Sequence, residues 1–304
     1  MTLSDLMVFS PEVAAARAEG RAIVALESTI ITHGMPFPQN VDTARQVEAT
    51  VRAAGAVPAT IAVMGGRIHI GLTAEELDSL GQAQGVMKLS RADLAACLAS
   101  GATGATTVAA TMICAHLAGI AVFATGGIGG VHRGAEASFD ISADLLELAA
   151  TPVTVIAAGA KAILDLPKTL EVLETHGVPV IAYGQDDFPA FWSRSSGLRA
   201  PLRMDSAEAI AKAHRLRGVL GLPGGQLVAN PIPAEAEIPR AEITPVIEQA
   251  LAEAAAQGIA AKAVTPFLLQ RIFELTGGRS LRSNIELVLN NARLGAAIAR
   301  AMTA

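Results

Sequence analysis

Lys161 stands in surroundings that would deprive its amine of water. Val153-Thr-Val-Ile-Ala-Ala-Gly-Ala160 precedes it and Ala162-Ile163-Leu164 follows, with no charged residue in either stretch. Burial disfavours the ammonium form, and a nearby helix N-terminus would disfavour it further. A neutral amine is a nucleophile able to form a Schiff base with a sugar carbonyl or anomeric carbon. The bland alternative is a lysine that reaches the surface or pairs with a carboxylate. Glu27 follows the apolar run Ile23-Val24-Ala25-Leu26 and has no charged neighbour in sequence. Burial there would suit it to general acid work, against an N-cap or a solvated loop acid. Asp140 and Asp144 are spaced i, i+4 at a predicted helix start, which would put both carboxylates on one face. Two hard oxygen ligands could hold Mg²⁺ or Mn²⁺ through water, whereas Asp140 or Ser142 could equally cap the helix. Lys88 and Arg91 flank Ser90 and offer cations to a phosphate.

These groups cluster at the ends of apolar runs. Strand candidates recur at Ala22–Leu26, Thr60–Met64, Val86–Leu89, Ile120–Ala124, Val153–Ala157, Val178–Ala182 and Val219–Leu222. Helix candidates lie between them at Val41–Ala54, Thr106–Leu117, Ser142–Ala149, Lys168–Thr175 and Ser206–Arg215. Such alternation predicts an α/β fold with a mainly parallel sheet between helices. Met64-Gly65-Gly66-Arg67 predicts a hairpin, which would make the sheet mixed. Pro167 just inside one helix and Gly177 just past it form the expected start and stop. Glu242 to Met302 is helical by pattern, broken at Gly258 and at Thr276-Gly277-Gly278. No linker or internal repeat interrupts the chain, so residues 1–304 are expected to form a single domain.

Composition narrows the function classes. With 304 residues and 51% hydrophobic content, the chain can build a large core, which excludes disorder. A formal net charge of −5 argues against a nucleic-acid or anionic-membrane surface, while a local cation cluster could still bind a small anion. Cys97 and Cys114 cannot make a disulfide framework and suit a reducing, cytoplasmic compartment. Met-Thr-Leu-Ser-Asp-Leu lacks the basic and apolar regions of a signal peptide. Leu94 to Val131 carries no Asp, Glu, Lys or Arg, a length that could span a membrane. Its glycines and threonines instead read as a buried helix, a buried strand and a turn.

That turn, Thr125-Gly-Gly-Ile-Gly-Gly-Val-His-Arg-Gly134, fails the nucleotide-loop patterns. A dinucleotide fingerprint from Gly127 and Gly129 needs glycine where His132 stands. The phosphate-loop spacing from Gly129 to Gly134 is followed by Ala135-Glu136 instead of Lys and Ser/Thr. There is no G-x-S-x-G, H-E-x-x-H or C-x-x-C pattern. After a buried strand, the glycines could still turn backbone N–H groups toward a ligand at the sheet's carboxyl edge.

The run Ala25-Leu-Glu-Ser-Thr-Ile-Ile-Thr-His-Gly-Met-Pro-Phe-Pro-Gln-Asn40 resembles the signature of the pseudouridine-5′-phosphate glycosidase family. Thr106-Thr-Val-Ala-Ala-Thr111, Ala124 to Gly134, Phe139-Asp-Ile-Ser-Ala-Asp-Leu145, Gly159-Ala-Lys-Ala-Ile-Leu-Asp165 and Ser283 to Asn291 follow in the family's order. The resemblance implies a three-layer α/β/α sandwich and reversible cleavage of pseudouridine 5′-phosphate to uracil and ribose 5-phosphate. Uracil C5 is a poor leaving carbon, so ring opening with lysine joined at C1′ suits the bond better than the paired carboxylates of O-glycosidases. By the resemblance Lys161 is the nucleophile, Glu27 the proton donor and Asp140 the Mn²⁺ ligand. Lys88, Val108, Ser142, Ala143, Asp144 and Asn284 match substrate-contacting positions, and the assembly is a homotrimer needing no organic cofactor. His132 lies in a matching motif without a role. The runner-up enzyme is a Schiff-base aldolase or transaldolase on a sugar phosphate. A non-catalytic sugar-phosphate sensor is the third reading, and both Lys161 and Glu27 speak against it.

Overall fold

The computed structural model describes residues 2–259 and 264–303. Its frame is one mixed sheet of eleven strands: β1 (Met7–Phe9), β2 (Ile23–Leu26), β3 (Val57–Met64), β4 (Arg67–Ile70), β5 (Met87–Leu89), β6 (Gly104–Thr106), β7 (Val122–Ala124), β8 (Thr154–Ala157), β9 (Val180–Tyr183), β10 (Leu202–Met204) and β11 (Gln226–Ala229). The main path runs β1-β4-β3-β2-β7-β8-β11-β9-β10, with β6 on β3 and β5 on β6. From β3 through β10 every pair on that path is parallel, and β3 meets β4 and β6 antiparallel. The predicted Gly65-Gly66 hairpin is the β3–β4 turn, both glycines having positive φ.

The central strands are short apolar runs because helices cover both faces, leaving no position for a solvated side chain. The long helix Arg279–Thr303 packs across β2, β7 and β8, flanked by the helices Gln39–Ala53 and Ala207–Val219. The opposite face carries Val108–Leu117 and Ala143–Ala150. Local signals set the boundaries: the Asp165 side chain accepts from Lys168 N–H at 3.1 Å, and Gly177 ends that helix with φ 68°. The Glu242–Met302 region resolves into Arg240–Ala256, Val264–Leu275 and Arg279–Thr303, while 260–263 lie outside the described residues. No described helix is long and apolar enough to cross a membrane.

Two expectations are corrected. Val219–Leu222 is not a strand: helix Ala207–Val219 runs into it, and Val219 and Leu220 are 83% and 69% exposed. The strand is β11, beginning after Gly225, where a Cβ would lie 2.0 Å from the Val153 carbonyl oxygen. Thr106 is likewise not helical; it ends β6, and Thr107 caps the following helix by accepting from Ala110 N–H.

Candidate functional site

The order of strands reverses between β2 and β7. From β2 the chain crosses to β3 on one side, and from β7 it crosses to β8 on the other. A crevice opens where such a reversal occurs, at the strands' carboxyl ends. Glu27 is the first residue past β2 and Thr125 the first past β7. The Thr125 hydroxyl donates to Glu27 Oε1 and the Thr29 hydroxyl to Oε2, so each carboxylate oxygen is held from a different side. Beneath them Ser28 Oγ donates to Ile61 O at 2.7 Å and accepts from Thr106 N–H at 2.9 Å. This buried pair fixes the end of β2 against β3 and β6.

Lys161 enters the crevice from the far side of β7. The chain past β8 pairs with the Gly-rich turn through Ile128 and Ala160, and Lys161 N–H donates to Ile128 O at 3.1 Å. Its half-buried side chain lines the cavity, and among the described residues no carboxylate forms an ion pair with it. Lys88 reaches the same cavity from β5, with His33 beside it on the π-helical turn Ile30–Gly34. Burial first, and then the Lys88 charge, hold the His33 imidazole below its ordinary range against an opposing bond to the Val86 backbone. Arg91 does not join Lys88. It forms a bidentate pair with Glu147 at 2.8 Å on both arms, and the Glu147 carboxylate is buried. The cation expected for a phosphate is thereby committed to tying two helices together.

The two aspartates also separate. Ser142 is the N-cap, accepting from Asp144 N–H at 3.2 Å, so Asp140 precedes the helix and the pair does not share a helical face. Asp144 is 6% exposed, and its oxygens accept from Ala109 N–H at 2.9 Å and Gly129 N–H at 2.8 Å. It bridges a helix N-terminus to the Gly-rich turn. Asp140 remains partly exposed at the cavity wall. Among the described residues no group of three or more His, Cys, Asp and Glu side chains could hold a metal. One carboxylate fits only a hard cation that keeps most of its ligands as water or substrate oxygen.

All nine predicted site residues line one cavity of about 570 Å³: Glu27, Lys88, Val108, Asp140, Ser142, Ala143, Asp144, Lys161 and Asn284, with His132 beside them. Asn284 Oδ1 accepts from Trp192 Nε1–H at 2.6 Å, which leaves the amide Nδ2 as the donor it can present. Sequence reasoning missed the apolar wall formed by Ile30, Met35, Phe191, Leu269 and Phe273. Those residues lie on turns and a distant helix, where no local pattern marks them as neighbours. The cavity lining therefore combines the Lys161 amine, the Glu27 carboxyl group and Lys88 with apolar side chains suited to a flat ring. An amine and a carboxyl group facing one chamber are the side-chain types with which a bond at a sugar carbon can be made and broken.

A family model described as "Indigoidine synthase A like protein" matches residues 12–301. The pseudouridine-5′-phosphate glycosidase of Jannaschia sp. (strain CCS1) is 77% identical over 297 residues, covering 98% of each chain. That of Paracoccus denitrificans (strain Pd 1222) is 77% identical over 302 residues, covering 99% of each. Among solved structures, the prealnumycin C-glycosynthase AlnA in complex with ribulose 5-phosphate is 40% identical with TM-score 0.91, over 98% of this chain and 97% of that one. An indigoidine synthase A-like protein from Thermotoga maritima is 33% identical with TM-score 0.89, at the same coverage. The chain belongs to the indigoidine synthase A-like family, within which its 77%-identical relatives are pseudouridine-5′-phosphate glycosidases.

Proposed function

We propose that the chain reversibly cleaves the C–C glycosidic bond of pseudouridine 5′-phosphate, giving uracil and ribose 5-phosphate. The observation that carries this reading is the meeting of Lys161 and Glu27 across β7 in one cavity. Lys161 Nζ bonds to C1′ as the C1′–O4′ bond breaks and O4′ takes a proton. Glu27 delivers a proton to uracil C5, and the nitrogen lone pair drives the C1′–C5 bond apart, leaving an iminium. Water hydrolyses the iminium to ribose 5-phosphate and frees the amine. In reverse, Glu27 takes the C5 proton, as microscopic reversibility requires. Lys88 supplies the positive charge for the phosphate, beside Val108 and the Ser142–Ala143–Asp144 helix start. Asn284 offers its amide donor, and the apolar wall takes the uracil face.

Asp140 is the side chain that would hold Mn²⁺, or Mg²⁺, which shares oxygen-rich sites. Such an ion adds a hard positive charge for substrate oxygens. The reading extends to one catalytic unit over residues 1–304 acting in nucleotide catabolism, in the cytoplasm and as a homotrimer. Phe139 and Ile141, flanking Asp140 at 82% and 43% exposure, support burial against another copy. Sedimentation equilibrium tests this, and a monomer at micromolar concentration refutes it. For the activity, the protein is incubated with pseudouridine 5′-phosphate and Mn²⁺ while free uracil is followed. Borohydride treatment with ribose 5-phosphate should leave an adduct on Lys161 by peptide mapping. An adduct on Lys88 would overturn the nucleophile, and no uracil release would overturn the function.

A further inference from the structure

A glutamate side chain turns about three bonds, so Glu27 can aim a proton at one carbon only if neighbouring groups hold it. Both of its oxygens are held by hydroxyls, and one of these belongs to a residue that does not line the main cavity. Thr125 is 2% exposed, and its N–H donates to Ile156 O at 2.9 Å. Its carbonyl accepts from Asn291 Nδ2 at 2.8 Å, and the same amide reaches Gly126 O at 3.4 Å. Asn291 is fully buried on the long helix, and its Oδ1 accepts from Asn230 Nδ2 at 3.0 Å. Asn230 N–H in turn donates to Ala157 O at 2.8 Å.

Asn291 thus joins the carboxyl ends of β7 and β11 through its amide nitrogen and its oxygen, with Thr125 between it and the Glu27 carboxyl. A buried polar group with every bond satisfied defines one arrangement sharply, since any other leaves a donor or acceptor without a partner. We infer that Thr125 and Asn291 are positioning residues: Asn291 fixes the backbone of Thr125, and the Thr125 hydroxyl, with that of Thr29, fixes the plane of the Glu27 carboxyl. The inference rests on Glu27 being the proton donor proposed above.

The test compares Thr125→Val, which keeps the shape and removes the hydroxyl, with Thr125→Ser, which keeps the hydroxyl. Misplacing a reacting group by about 1 Å can cost about 10²-fold in rate. Thr125→Val should therefore lose about 10- to 100-fold in kcat for uracil release, with KM within about twofold of wild type. It should still trap ribose 5-phosphate on Lys161, because that step does not need Glu27 aimed at uracil. Thr125→Ser should stay within about threefold of wild type, as retained alignment requires. Asn291→Leu should resemble Thr125→Val, and the threonine pair decides the matter should that helix variant misfold. Thr125→Val with wild-type kcat, or Thr125→Ser falling as far as Thr125→Val, overturns the inference. Glu27→Gln is measured alongside. If it remains active the proton-donor assignment beneath has failed, whereas an inactive Glu27→Gln beside an active Thr125→Val sinks the positioning role alone.

Discussion

Replacing Asp144 by asparagine asks whether its carboxylate serves the protein or the substrate. The two oxygens accept backbone N–H bonds at 2.9 and 2.8 Å from Ala109 and Gly129, and the residue is buried. Asparagine has one acceptor oxygen, so either the helix N–H or the turn N–H would face an NH₂ group. Losing a charge-assisted bond and stranding a buried donor costs about 1.5–3 kcal/mol. Losing the negative charge near the N-terminus of Val108–Leu117 adds about 0.3–1 kcal/mol. Unfolding entropy of about 2.1 cal/mol/K per residue gives ~0.6 kcal/mol/K for 304 residues. Asp144→Asn should therefore lower Tm by about 3–6 °C in a thermal melt. Gly129→Ala should act on the same joint, because its Cβ would fall 2.8 Å from Asp144 Oδ2 and 2.3 Å from Ser142 Oγ. If the carboxylate instead binds substrate, Tm stays within a degree or so of wild type and KM rises, and the bridging account fails.

Glu27→Gln should bind ribose 5-phosphate and still form the Lys161 adduct while neither cleaving nor making the C-nucleotide. More than about a tenth of wild-type kcat would contradict the loss of about 10²–10⁴-fold expected of a general acid. Asp140→Ala should abolish Mn²⁺ activation and leave Tm near wild type; a large drop in Tm without any change in metal response would make it structural. His33 is held below its ordinary 6.5 by burial and then Lys88, and His214 by burial and then Arg217 and Arg215. Below 6.5 the unfolded chain then binds more protons than the folded one, so stability is full above that pH and falls on acidification. Tm should drop from pH 7.5 to about pH 5.5, and a flat profile would contradict it. Both thiols are buried, with Cys114 pushed up to about 12 by burial first and then Glu147. Ellman's reagent at about pH 8 should find neither thiol in the native protein and both in guanidinium. A rapid native reaction would refute this.

Residues at the ends of buried parallel strands were the legible part of the site. Glu27 and Lys161 follow apolar runs that alternate with helical segments, the arrangement of a parallel sheet, and its central strands end at one edge, where the two meet. Side chains whose meaning depends on a distant partner were not legible. Arg91 reads as a phosphate cation until Glu147, 56 positions away, occupies it. Asp144 reads as a metal ligand until two backbone amides claim it. Val219–Leu222 carries the composition of a strand, and a short apolar run gives no periodicity to separate that from a helix end. β6 (Gly104–Thr106) holds no large apolar residue and β10 (Leu202–Met204) has arginine at its centre, so neither leaves an apolar run to read.

The Gly-rich turn gathers these points, because its glycines serve contact more than phosphate binding. Gly129 gives its N–H to Asp144, and a Cβ there would overlap Ser142. A Cβ on Gly127 would lie 2.7 Å from the Phe191 ring. At Gly127 and Gly129 the turn passes so close to Phe191 and to Ser142 that neither position has room for a Cβ. That close seat lets it also bond Lys161 through Ile128 O and present Thr125 to Glu27. One segment with almost no side chain of its own at these positions thus sets Lys161, Glu27 and the helix start against one another. A side chain added at Gly127 or Gly129 would disturb all three together.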